Sequence, residues 1–86
     1  MSDPQAEKAI RDAMKELADE DTPRNSTTVP EASWKRLIDD GASRDDAVRR
    51  IYEEIEDMKK RGELSAPFDP PGQDWQLTAK VQSASS

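Results

Sequence analysis

Six basic side chains are spaced for contact chemistry. Arg49 and Arg50 are adjacent within a charged stretch, with Lys35, Arg36 and Arg44 before them and Lys60 after. A guanidinium presents a planar fork of donors that fits a phosphate or the outer edge of guanine. An ammonium supplies a point charge for phosphate oxygens. The same residues also have ordinary partners. Asp46–Arg50, Arg49–Glu53 and Glu56–Lys60 are each spaced i, i+4, the pattern of a salt-bridged helix surface. Lys59-Lys60-Arg61 is the densest basic run, and it reads first as a positive complement to a helix C-terminus. A second set is aromatic. Phe68 and Trp75, if exposed together, would form an apolar patch suited to a protein partner.

Catalytic readings are poor. The chain has no histidine and no cysteine, so the commonest general base, the commonest metal ligand and any thiolate are missing. Asp39-Asp40 and Asp45-Asp46 are sequence neighbours and point to different faces of a helix, unlike an acid/base pair. No phosphate-binding loop, nucleophile elbow or EF-hand loop is present. The expectation is a non-enzyme that needs no metal or cofactor.

These side chains need elements to hold them. Ser43 with Asp46 three residues on resembles a capping box, and Ala47, Val48, Ile51, Tyr52, Ile55 and Met58 then recur at helical spacing. The helix stops at Gly62. Leu64, Ala66 and Phe68 alternate as a strand does. Asp69 to Asp74 reads as a turn, and Trp75, Leu77 and Ala79 alternate again. Upstream, Asp3-Pro4 opens a first helix to about Asp19, with Ala6, Ala9, Ile10, Ala13, Met14, Leu17 and Ala18 on one stripe. Glu7–Arg11, Asp12–Glu16 and Lys8–Asp12 lie on its outer side, which reads as a solvated surface. Thr28 to Glu31 reads as a second capping box, opening a helix from about Pro30 to Asp40 with Trp34, Leu37 and Ile38 on one face. Trp34 is expected in the core. Residues 22–27 are a polar connector, and Thr27 to Val29 is the expected place for a short extra strand.

Eighty-six residues make one small domain, expected over residues 1–80 with a polar tail at 81–86. With 33% apolar residues the core must be thin. Net charge is −6, carried mostly by residues 1–42, where 6 basic groups face 10 acidic ones. That balance opposes bulk-charge binding of nucleic acid but permits a local basic face. Aspartate outnumbers glutamate, 11 to 8, a surface that a salt-rich cytoplasm would favour. No apolar run reaches membrane-span or signal-peptide length, so the expected location is cytoplasmic.

The stretch from Ile55 to Pro67, with its Lys-Arg-Gly-Glu-Leu step, followed by Trp75-Gln76-Leu77-Thr78, resembles the end of many winged helix-turn-helix domains. It is similar in particular to the small C-terminal domains of archaeal replicative helicases and single-strand-binding proteins. The likeness spans about residues 30–78. It implies a mainly α fold with a small β-hairpin: three helices plus a two- or three-stranded wing. Two departures stand out: the 69–74 turn is acidic and proline-rich where a DNA-gripping wing carries Lys or Arg, and the 20–29 connector is long. The function that follows is a DNA-binding regulator or replication accessory. Arg49 and Arg50 would read bases, with Lys35, Arg36, Arg44 and Lys60 on phosphates. A homodimer paired through the first helix is expected beside it. The alternative is a protein-interaction module without nucleic acid, using Phe68 and Trp75. A contiguous positive face over the second and third helices favours DNA; a broken one favours a protein.

Overall fold

The computed structural model describes residues 3–65 and 75–77. Asp3 starts the first helix, α1 (Pro4–Asp19), by accepting a hydrogen bond from the Ala6 N–H at 3.1 Å, with Pro4 in the first turn. The apolar stripe is buried as its spacing requires, from Ala6 and Ile10 to Met14 and Leu17; Ala18 lies outside it, exposed. Helix α2 spans Thr28–Asp39 and α3 spans Arg44–Lys60. Ser43 caps α3 through the Asp46 N–H, as its spacing predicts.

The expected capping box at Thr28 does not form. Thr28 is already helical, and no side chain of the cap residue, Thr27, bonds the first turn. Asn25 does that work instead: its Oδ1 accepts from the N–H groups of Thr27 and Thr28 at 2.8 and 2.9 Å. Helix formation from Thr28 also displaces the strand expected at Thr27 to Val29.

All three helices stop the same way. The residue after the cap takes a left-handed backbone, and two reversed hydrogen bonds close the last turn. Gly41 (φ +109°) and Gly62 (φ +77°) fill that position in α2 and α3. In α1 it is Asp21, at φ +58°. Its N–H donates to the Ala18 carbonyl, and the Thr22 N–H donates to that of Leu17. The acidic run 19–21 is thus the turn that ends α1.

Strands β1 (Leu64–Ser65) and β2 (Gln76–Leu77) pair antiparallel, Leu64 opposite Leu77 and Ser65 opposite Gln76. The Trp75 N–H donates to the Arg24 carbonyl at 2.7 Å, which ties the long connector to the sheet. The domain is therefore three helices with a two-stranded antiparallel sheet. Its core joins Ile10 and Met14 of α1, Leu37 of α2, Ile51 and Met58 of α3, and Trp75. Three more residues, besides Ala18, depart from the expected stripes. Tyr52 is 47% exposed and Ile38 36%, while Trp34 is half-buried and packs on the core from outside.

Charge also enters the interior. Glu54 and Glu63 are buried, 1% and 3% exposed. Arg61 reaches Glu54 at 3.0 Å and Glu63 at 3.3 Å, and Arg11 reaches Glu63 at 3.0 Å and Glu7 at 2.9 Å. The second Glu54 oxygen accepts the Asp3 N–H at 3.0 Å. Glu7 and Arg11, expected on a solvated face, belong to this clasp between α1 and the end of α3.

Candidate interaction surface

The six nominated cations do not form one face. Arg50 is turned along the flank of α3 toward the start of α1. Its fork donates to both Asp3 oxygens at 2.8 and 3.1 Å, and to Gln5 at 2.9 Å. Those bonds hold the Asp3 carboxyl below its usual range and raise the Arg50 guanidinium. The same flank of α3 carries Glu54 and Arg61, so it is closed by α1. Arg36 crosses from α2 to Glu16 of α1 in a close ion pair. Lys35 lies 3.8 Å from Glu31. Arg49 is exposed, between Asp46 at 2.7 Å and Glu53 at 3.2 Å, and its hydrogen bond to Asp46 raises it further. Arg44 and Lys60 make no ion pair among the described residues. They stand at the two ends of α3, roughly 24 Å apart at a rise of about 1.5 Å per residue.

The aromatic residues are redistributed too. Trp75 is 1% exposed and seals the core. Phe68 lies outside the described residues. The accessible aromatic pair is Trp34 on α2 with Tyr52 on α3. Their ring centroids are 6.0 Å apart at an interplanar angle of 53°, a tilted packing that suits aromatic quadrupoles. Tyr52 sits on the flank of α3 opposite Arg50, one step beyond the buried sector, and this explains both its place on the apolar stripe and its exposure.

Two open hollows meet at Tyr52. One, of about 330 Å³, is lined by Ser26, Thr27, Glu31, Trp34 and Tyr52. The other, of about 610 Å³, is lined by Tyr52, Glu53, Glu56, Asp57 and Lys60. Among the described residues, four carboxylates and one ammonium border the two, and Glu31, Glu53 and Glu56 are held in ion pairs. Lys35, Arg49 and Lys59, the nearest cations bound to those carboxylates, line neither hollow.

Sequence reasoning overlooked Tyr52 and Glu54, although both carried a signal. Tyr52 is the stripe's most lateral member. Glu54 lies beside Ala47 on the helical wheel, at the edge of the buried sector that faces Arg50. Among the described residues no group of three acidic side chains is arranged to hold a metal ion, and no helix is long and apolar enough to cross a membrane. No family model, curated protein or solved structure matches this chain.

Proposed function

We propose that the chain is a protein-interaction module built on a winged helix-turn-helix, and that its Trp34–Tyr52 face takes a short basic segment with an apolar anchor. One observation carries this reading. The outward surface of α2 and α3 offers an accessible aromatic pair bordered by four carboxylates, while four of the six nominated cations are engaged by acidic neighbours. The three-helix order with an antiparallel strand pair supports the winged-helix frame. An exposed aromatic face favours a cation over the ring by about 0.5–1 kcal/mol. The carboxylates around it are held by exposed pairs worth about 0.2–1 kcal/mol each, so an incoming guanidinium can replace the local lysine.

DNA is the second reading, favoured by Arg44 and Lys60 standing unpaired on α3 among the described residues. Anisotropy titrations separate the two. Labelled peptides of constant apolar content and graded charge are compared with a duplex DNA, at low and physiological salt. The basic peptides should bind best, and Tyr52→Ala should weaken them by about tenfold, or 1.4 kcal/mol. Duplex binding that survives physiological salt and falls with Arg44→Ala and Lys60→Ala, without basic-peptide binding, would replace this reading with the DNA one.

A further inference from the structure

The carboxylates around Trp34 and Tyr52 are not equivalent. Glu31 is held by Lys35, Glu53 by Arg49 and Glu56 by Lys59. Asp57 lines the hollow beside Tyr52 and makes no ion pair among the described residues. The reason lies one turn on. Arg61 stands at i+4 from Asp57, the favourable order for a helix ion pair. The clasp takes it instead, and its guanidinium goes to Glu54, Glu63 and Glu7. Lys60, three positions on, lines the same hollow and is likewise without an ion pair among the described residues.

A cation arriving at Glu31, Glu53 or Glu56 must displace a resident one, and exchanging one exposed pair for another gains little. A cation arriving at Asp57 displaces none. Asp57 is also less exposed than Glu53 and Glu56, so water and salt screen a pair there less.

Its position sets a distance. Tyr52 and Asp57 are separated by about 7.5 Å along α3, at about 1.5 Å per residue, and by about 140° around it, at about 100° per residue. On a helix about 11 Å across with its side chains, that puts them roughly 13 Å apart. A short segment is not helical on its own, and an extended one covers about 13 Å in four residues at about 3.3 Å each. Residues four apart on an extended chain also point to the same side.

We infer, building on the Trp34–Tyr52 reading, that Asp57 selects the partner: the extended segment seated on the aromatic pair carries its cation four residues from its apolar anchor. Lys60 opposes that cation and tunes the site downward.

NMR titrations of the whole chain test this with end-blocked peptides. Each has one tryptophan and one arginine in an otherwise uncharged serine-threonine chain, with the arginine adjacent to the tryptophan, four residues away or eight away. The four-residue peptide should bind best. Asp57→Asn should weaken it by about fivefold, the upper range for an exposed pair, and leave the adjacent peptide unchanged, since that arginine does not reach. Asp57→Glu should restore most of the loss. Glu53→Gln should change binding by less than about twofold, because the carboxylate it removes is already paired. Lys60→Gln should strengthen binding by about twofold, opposite to its effect on a DNA contact. Asparagine near a helix C-terminus removes an unfavourable charge, so an unlowered thermal melt will show that Asp57→Asn is folded. If the four-residue peptide needs Tyr52 but is indifferent to Asp57→Asn, or if the eight-residue spacing binds best, this inference fails and the Trp34–Tyr52 reading stands. If no arginine peptide binds, or binding is indifferent to Tyr52→Ala, both fail.

Discussion

Arg61 is predicted to be the most consequential surface-connected residue of the chain. Its guanidinium meets three carboxylates, Glu54, Glu63 and Glu7, at 3.0, 3.3 and 3.5 Å. The first two are almost wholly buried. Among the described residues, the clasp with Arg11 holds three acids against two bases. Removing Arg61 leaves, among these residues, three against one, and Glu54 keeps a neutral donor, the Asp3 N–H. Breaking a buried pair by deleting one partner costs about 3–5 kcal/mol. The Arg61 side chain is still 29% exposed, so water screens part of that, and about 2–3 kcal/mol is the working figure. A chain this size has about 4–13 kcal/mol in all, at roughly 0.05–0.15 kcal/mol per residue. Arg61→Ala should therefore lower Tm by about 8–24 °C, at about 4–8 °C per kcal/mol.

Far-ultraviolet circular dichroism melts at neutral pH measure this directly. The informative partner is Glu54→Gln with Arg61→Met, which removes the stranded charge along with its partner. That double variant should melt above Arg61→Met alone, because deleting both members of a buried pair costs less than deleting one. If Arg61→Ala melts within about 2 °C of the parent, the effect is that of an ordinary surface substitution, and the clasp does not hold the fold.

Two further outcomes follow from local geometry. Asp21 holds a left-handed backbone at the end of α1, with its negative charge at the unfavourable pole of the helix. Asp21→Gly should raise stability by about 0.5–1 kcal/mol in a urea titration, whereas Gly62→Ala, at φ +77° with nothing within 4 Å of the new methyl, should lower it by about 1 kcal/mol. Asp3 gives a pH signature. Arg50 holds its folded pKa below the ordinary aspartate range, so its contribution is complete above that range and is lost as pH falls through the folded value. The stability gap between the parent and Arg50→Ala should then be constant near neutrality and shrink on acidification below about pH 4; a gap unchanged down to pH 2 would remove Asp3 as the reason.

What could be read from the sequence is what depends on neighbours in the chain. The Asp3 and Ser43 caps, the Gly41 and Gly62 stops and the apolar stripes of α1 and α3 each need no more than a few adjacent residues, and each is present in the main. The second helix shows where that stops. Thr28 and Glu31 satisfy the capping pattern, yet Asn25 takes the Thr28 N–H, together with that of Thr27, from a different turn, and sequence spacing does not rank the two. Asp21 was opaque for a related reason: glycine announces a left-handed position, and aspartate at the same place does not.

The cations show the deeper limit. Arg50 has an i, i+4 partner in Asp46, and the pattern of exposed pairs describes it adequately. Its stronger bonds are to Asp3, 47 positions away. Arg61 likewise reads as a helix-end charge, and it in fact reaches back to Glu54 of α3 and across to Glu63 and to Glu7 of α1. Arg36 reads as a phosphate contact and ties α2 to Glu16 of α1. For Arg50 and Arg36 the deciding partner belongs to another element, and for Arg61 the contact to Glu7 does, so these pairings are set by helix packing and not by spacing. The three arginines together join α1 to both other helices, which is where a thin core built on alanines most needs support. A guanidinium fixed in such a junction is not available to a ligand without loosening the junction. Ligand contact by Arg50 or Arg61 would therefore appear as a coupled loss of stability, a signature that separates these residues from Arg44 and Lys60 in any binding assay.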